Sequence, residues 1–178
     1  MARVARRDAA ACRALVERHL GRLVAFAQRV LGTRADAEDV AQEVFIRVWT
    51  HAGRYRPDRA RLTTWLHRVA LNLCLDRLGH RRDAPIDQVP ELHDPAPAPA
   101  SRLAAQDLGR RVQAALSRLP DRQRIAITLC HHQGFSGREA AEILGVSPQA
   151  VESLLARGRR AMRDQLRDVA ADFLGARR

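Results

Sequence analysis

Five prolines fall within the eighteen residues APIDQVPELHDPAPAPAS at 84–101, and no other feature limits the fold of this chain as much. Proline fixes φ and carries no amide proton, so a helix cannot run through such a stretch. At this density it favours an extended, semi-rigid spacer. Charge divides the chain at the same place. Residues 1–83 hold 17 arginines against 9 acids, 84–101 no arginine and 3 acids, and 102–178 hold 14 arginines against 8 acids. All the basic residues are arginine, and the net charge is +11. A surplus of that size favours a polyanionic partner, because each neutralised phosphate releases a counterion. The economical picture is two basic domains joined by a tether, each making its own nucleic-acid contact.

Both blocks read as all-α. Only 4% of residues are aromatic while 46% are hydrophobic, a balance that suits small helical domains packed with Leu, Val and Ala. In the first block Val16, Leu20, Leu23, Ala27, Val30 and Leu31 recur at helical spacing up to Gly32. Thr33 is the expected N-cap of the next helix, with Asp36 in the capping-box position. That helix buries Ala37, Val40, Ala41, Val44, Phe45 and Val48. Gly53, Pro57 and the arginines between them mark a loop. A third helix, about 63–78, is apolar on most sides, with a polar line of Thr64, Arg68, Asn72 and Asp76. Trp49 and Trp65 are both expected in the core, Trp65 beside Leu62, Leu66 and Val69.

In the second block a helix is expected near 103–116, broken by Pro120, and another over 122–132, ended by Gly134. Ser136 and Glu139 then make a capping box, and Gly145 sits where a left-handed residue ends a short helix. Ser147 caps the next helix, with Pro148 in its first position, where a missing N–H costs nothing. Two helices joined by a short Gly-containing turn are a helix-turn-helix. Ala141 is small at the crossing, and Leu144, Val146, Val151 and Leu154 are apolar on the inner face. Gln149, Glu152 and Ser153 lie at the start of the second helix, the part that reaches base edges in the major groove. Arg157, Arg159, Arg160 and Arg163 follow and suit phosphates.

These stretches resemble a known family. ALSRLPDRQRIAITLCHHQGFSGREAAEILGVSPQAVESLLARGRRAM looks like region 4 of the extracytoplasmic-function (ECF) sigma factors of the sigma-70 family. DAEDVAQEVFIRVW, followed by TTWLHRVALNLCLDRL, looks like region 2. The resemblance implies an all-α protein of two small helical domains. Region 2 would span 1–83, a Pro/Ala-rich linker 84–102, region 4 residues 103–170 and a tail 171–178. It further implies that Asp39, Gln42 and Glu43 dock on the beta-prime clamp of core RNA polymerase, with region 4 on the beta flap. The loop HAGRYRPDRARL and the helix after it would read the −10 element. There Tyr55 would stack on an unstacked base, Arg54, Arg56, Arg59 and Arg61 would hold the backbone, and Arg68 and Asn72 would reach the bases. Gln149, Glu152, Ser153, Arg157 and Arg160 would serve the −35 element. One departure is plain: relatives often carry basic residues where this chain has Glu152 and Leu154. The resemblance also implies an anti-sigma partner, often membrane-bound in this family.

Two other classes compete. A stand-alone helix-turn-helix regulator would dimerise through its first block and bind a palindrome; the acidic DAEDVAQE face argues against it. An enzyme or metal site would need converging ligands. Cys130, His131 and His132 are adjacent, and neighbours on a helix diverge by about 100°. The acids Asp36, Glu38, Asp39 and Glu43 have no His or Lys cluster beside them to make a nuclease site. No catalytic residue, metal or cofactor is expected. No disulfide framework follows from Cys12, Cys74 and Cys130. No apolar run is long enough to enter a membrane, so the expected location is the cytoplasm.

Overall fold

The computed structural model describes residues 1–58, 60–83 and 100–167. The tether expected at 84–102 lies outside these residues apart from its last three, which are helical, and the tail expected at 171–178 lies outside them. The first block opens with α1 (Ala2–Ala5) and α2 (Ala9–Leu31). Asp8 caps α2 by accepting from Ala11 N at 2.9 Å, and Gly32 ends it at φ 92°. α3 (Arg34–His51) starts where the Thr33 hydroxyl accepts from Asp36 N at 3.3 Å. A short 3-10 turn, Ala52–Arg54, leads into the loop before α4 (Leu62–Asp83).

Three helices build the first core. α2 supplies Leu23, Phe26, Ala27 and Val30, α3 supplies Val40, Ala41, Val44 and Val48, and α4 supplies Leu66, Ala70, Leu71 and Cys74. Burying each large aliphatic side chain is worth about 1.5–3 kcal/mol.

Three expectations need correction. Trp49 is 43% exposed and Leu20 40% exposed, so neither is a core residue. Position 49 follows Gln42 and Ile46 along the outer face of α3, beside the Val40–Val44–Val48 stripe and not on it. On α2 the buried line runs Leu15, His19, Leu23 and Phe26, so His19 takes the place the spacing assigned to Leu20. Trp65 is only half-buried and packs its ring on Tyr55, 5.5 Å between centroids.

The second block holds α5 (Ala100–Ser117), α6 (Asp121–Ile127), α7 (Gly137–Leu144) and α8 (Pro148–Gln165). The helix expected over 122–132 is α-helical only as far as Ile127. It then widens into a π turn, Thr128–His132, closed by Gln133 N to Thr128 O and Phe135 N to Leu129 O, both 3.0 Å. The widening and the positive φ of Gly134 let Gln133 and Phe135 turn inward, where both are buried.

They turn towards the first block. α4 packs on α7, and α2 packs on α5, α6 and the π turn. Buried residues of the two blocks form one continuous apolar cluster. The two helical domains expected from the sequence are both present and, among the described residues, pack against each other.

Candidate nucleic-acid interface

The helix-turn-helix is built by its local chemistry. Ser136 Oγ accepts from Glu139 N at 3.2 Å while the Glu139 carboxylate accepts from Ser136 N at 2.9 Å. These bonds to Ser136 and, after them, the charge of Arg61 hold the Glu139 carboxyl below its usual range. Gly145 closes α7 at φ 66°. Ser147 Oγ accepts from Ala150 N at 3.2 Å, and Pro148 is the first residue of α8. Ala140, Ala141, Ile143, Val151 and Leu155 are buried between the helices, while Leu144, Val146 and Leu154 are half-buried.

This packing leaves one side of α8 in solvent. Gln149, Glu152, Ser153, Arg157, Arg159, Arg160 and Arg163 are all exposed. Arg157 donates to Ser153 Oγ at 3.0 Å, so those two residues hold each other. Among the described residues no ion pair takes up the Glu152 carboxylate, so pairing with Arg159 or Arg160 is not what occupies it.

A second basic surface lies on the first block. Tyr55 donates its hydroxyl proton to Ala60 O at 3.0 Å, which pins the ring against Trp65. Tyr55, Arg56, Ala60, Thr64, Trp65 and Arg68 line a cleft of about 450 Å³, which Glu142 of α7 borders. Thr64, expected on the exposed polar line, is buried, and its hydroxyl has no hydrogen-bond partner among the described residues. A buried hydroxyl left without a partner costs free energy. Arg68 and Asn72 are exposed one turn apart on α4. Arg61 points away from α4 and donates to Glu139 of α7 at 3.1 Å. Arg59 lies outside the described residues, and so does the side chain of Arg54.

The third surface is the outer face of α3. Asp39 and Gln42 are exposed and Glu43 half-buried. Glu43 accepts from Arg47 at 2.9 Å, and Asp39 stands 3.8 Å from Arg77 of α4. Sequence reasoning missed what continues this face. Gln42 borders a groove of about 870 Å³ between α2 and α3, lined on its apolar side by Leu20, Val24, Phe45, Ile46 and Trp49. The available signal was the i, i+3, i+7 run of Gln42, Phe45 and Trp49, which places a tryptophan beside the polar residues.

Cys130 is half-buried, and burial raises its thiol pKa; His131 and His132 are exposed. Among the described residues no three His, Cys, Asp or Glu side chains gather as metal ligands.

Comparison with known proteins shows the family. The family pattern of sigma-70 region 2 matches residues 15–83, and that of sigma-70 region 4 matches residues 109–162. The chain is 38% identical over 156 residues to the ECF RNA polymerase sigma factor SigE of Mycolicibacterium smegmatis, covering 85% of this chain and 60% of that protein. It is 38% identical over 145 residues to SigM of Mycobacterium tuberculosis, covering 82% and 71%. The chain belongs to the extracytoplasmic-function sigma factors of the sigma-70 family. As a member of that family it is a transcription initiation factor. Among solved structures it is similar to CnrH in complex with the cytosolic domain of CnrY, at 31% identity and TM-score 0.69, covering 94% of each chain. Two sigma regions in order along one chain do not favour a stand-alone regulator.

Proposed function

We propose that this ECF sigma factor directs core RNA polymerase to its promoters through the three surfaces just described, and that it performs no catalysis itself. The face of Asp39, Gln42 and Glu43 docks on the beta-prime clamp, with Ile46 and Trp49 giving that contact an apolar centre. Charged rims around apolar anchors are the usual anatomy of such interfaces. Region 4 sits on the beta flap and presents α8 to the −35 element, where Gln149, Glu152 and Ser153 meet base edges and Arg157 and Arg160 meet phosphates. Tyr55, Arg61, Arg68 and Asn72 act on the −10 strand. The protein works in the cytoplasm, where core polymerase is; among the described residues no helix is long and apolar enough to cross a membrane. An anti-sigma factor is the expected regulator, as the CnrH complex with CnrY illustrates for a relative.

The observation that carries this reading is the cleft of Tyr55, Trp65 and Arg68. It offers aromatic rings and a cation together, which suits the stacking and backbone contacts of an extruded base. Run-off transcription with core polymerase on a promoter library tests it. The parent selects a two-element promoter, and Asn72→Ala relaxes one −10 position, since losing a bidentate base contact costs about 1–3 kcal/mol. An unchanged −10 profile for the variant rejects the assignment.

A further inference from the structure

We infer that α1 braces the −10 loop: Val4 seats the 3-10 turn from which Tyr55 leaves, and through that turn it sets where the stacking ring stands. Val4 is thus a positioning residue, and the inference rests on the assignment of Tyr55 to the −10 strand.

With four residues, α1 is too short to hold itself together in water, so its place depends on what it touches. Val4 is 3% exposed and belongs to the apolar core, and Met1 packs against that core half-buried. Arg3 Nε donates to the Asp8 carboxylate at 2.9 Å. Asp8 N donates to Arg3 O at 3.1 Å, and Arg7 N to Val4 O at 2.9 Å. Arg7 makes the reversal between α1 and α2 at φ 60°, alone among the described non-glycine residues in having a positive φ. That backbone is unfavourable for arginine and persists only where the surroundings over-determine it. The match to sigma-70 region 2 begins at residue 15, so it gives α1 no role.

What α1 touches is the start of the −10 loop. It packs on the turn Ala52–Arg54 and on α3. Val4, Ala5, Thr50 and Gly53 line one opening of about 590 Å³, and Ala52 is buried in the same core as Val4. The turn passes its position on to Tyr55, whose N–H donates to Ala52 O at 3.3 Å. Farther out, the bond from the Tyr55 hydroxyl to Ala60 O holds the tip of the ring, and Trp65 holds its face. The tip and face are thus fixed by the loop and α4, and the backbone by the turn that α1 seats. Stacking depends on where a ring stands, because a gap of about 0.5–1 Å already forfeits about a quarter to a half of a dispersion contact. The first core is carried by α2, α3 and α4, so trimming Val4 loosens the turn more than the bundle.

The test uses holoenzyme made from the full chain and saturating core polymerase. The DNA is the promoter that the parent selects from a library, with its −10 strand left unpaired. Tyr55→Ala should bind it about tenfold weaker, the order of one lost base stack. Val4→Ala should bind about threefold weaker, and all of that loss should pass through Tyr55, so adding it to Tyr55→Ala should weaken binding no further. Val4→Ile refills the seat, with room for its extra methylene in the opening that Val4 borders, and should bind as the parent does. Because Trp49 lines the same opening, affinity for core polymerase is titrated separately and should not change in Val4→Ala. A second measurement needs no DNA. In a Trp49→Phe background Trp65 is the only tryptophan. Its emission should shift to the red and become more open to acrylamide quenching in Val4→Ala, as Tyr55 leaves its face. Parent-like DNA affinity or emission in Val4→Ala overturns the brace. So do additive losses in the double variant, a weakened core titration, or a loss of helical content in Val4→Ala, which would make Val4 an ordinary core residue. Parent-like binding by Tyr55→Ala rejects the −10 assignment of that ring instead, and the Trp65 emission then still decides whether α1 seats it.

Discussion

Glu152 stands on the exposed side of α8 that we propose reads the −35 element. It is exposed beside Gln149 and Ser153, with no ion pair among the described residues, while Ser153 is held by Arg157. A carboxylate that close to a phosphate backbone is repelled unless a donor meets it, and the N4 amino group of cytosine is such a donor. Glu152→Arg should then do two separable things. It should raise general DNA affinity and steepen its salt dependence by adding a phosphate contact. It should also move preference at one −35 position from cytosine to guanine on the contacted strand, because arginine reads the guanine edge. Binding selection on randomised −35 sequences at fixed salt distinguishes the two. A stronger but identical sequence profile would mean that Glu152 touches no base.

At the level of elements, local chemistry was readable and tertiary choice was not. The Ser136–Glu139 box, Gly145 and the Ser147–Pro148 start of α8 could be read from the sequence because each depends on residues within four positions. Leu20 and Trp49 could not be placed, because a helix with a wide apolar arc does not say which part of the arc is covered. The π turn at 128–132 leaves no periodic trace, and neither Phe135 nor His67 carries a local signal of meeting across domains. The exposed part of the α3 arc is informative in itself. Gln42, on the same helix as Asp39 and Glu43, borders an uncovered apolar strip, and buried aromatic anchors contribute more to binding than rim charges. Trp49→Ala should therefore weaken binding to core polymerase more than replacing all three polar residues with alanine. An affinity titration with core enzyme reads both, with helical content as the control for folding. Equal or reversed losses would place the anchor elsewhere.

For the whole molecule the informative group is His67, because it is buried between Phe26 of the first block and Phe135 of the second. Its Nδ1 lies 2.8 Å from Thr63 O, and burial, the largest influence, pushes its pKa down to about 4 despite that bond. Arg22 and His19 of α2 depress it further, while Gln133 and Thr63 act the other way. The ordinary value is 6.5. Between those two values a form in which the imidazole is solvated takes up a proton that the packed form refuses, so the packing of the two blocks is strongest above about pH 6.5 and weakens as pH falls towards 4. At pH 5 full exposure would make the difference at most about 2 kcal/mol; opening withdraws Phe135 and Gln133 but leaves Phe26, so the realised fraction is smaller. Glu139 is held low by its bonds to Ser136 first and the charge of Arg61 after them, so the Arg61 contact persists through this window. The inter-domain distance should accordingly lengthen between pH 7 and pH 5 in the parent. His67→Phe keeps an aromatic ring between Phe26 and Phe135 and removes the proton site, so its distance should change less over the same range. If the distance changes alike in parent and variant, His67 is not the group that couples the packing of the two blocks to acid.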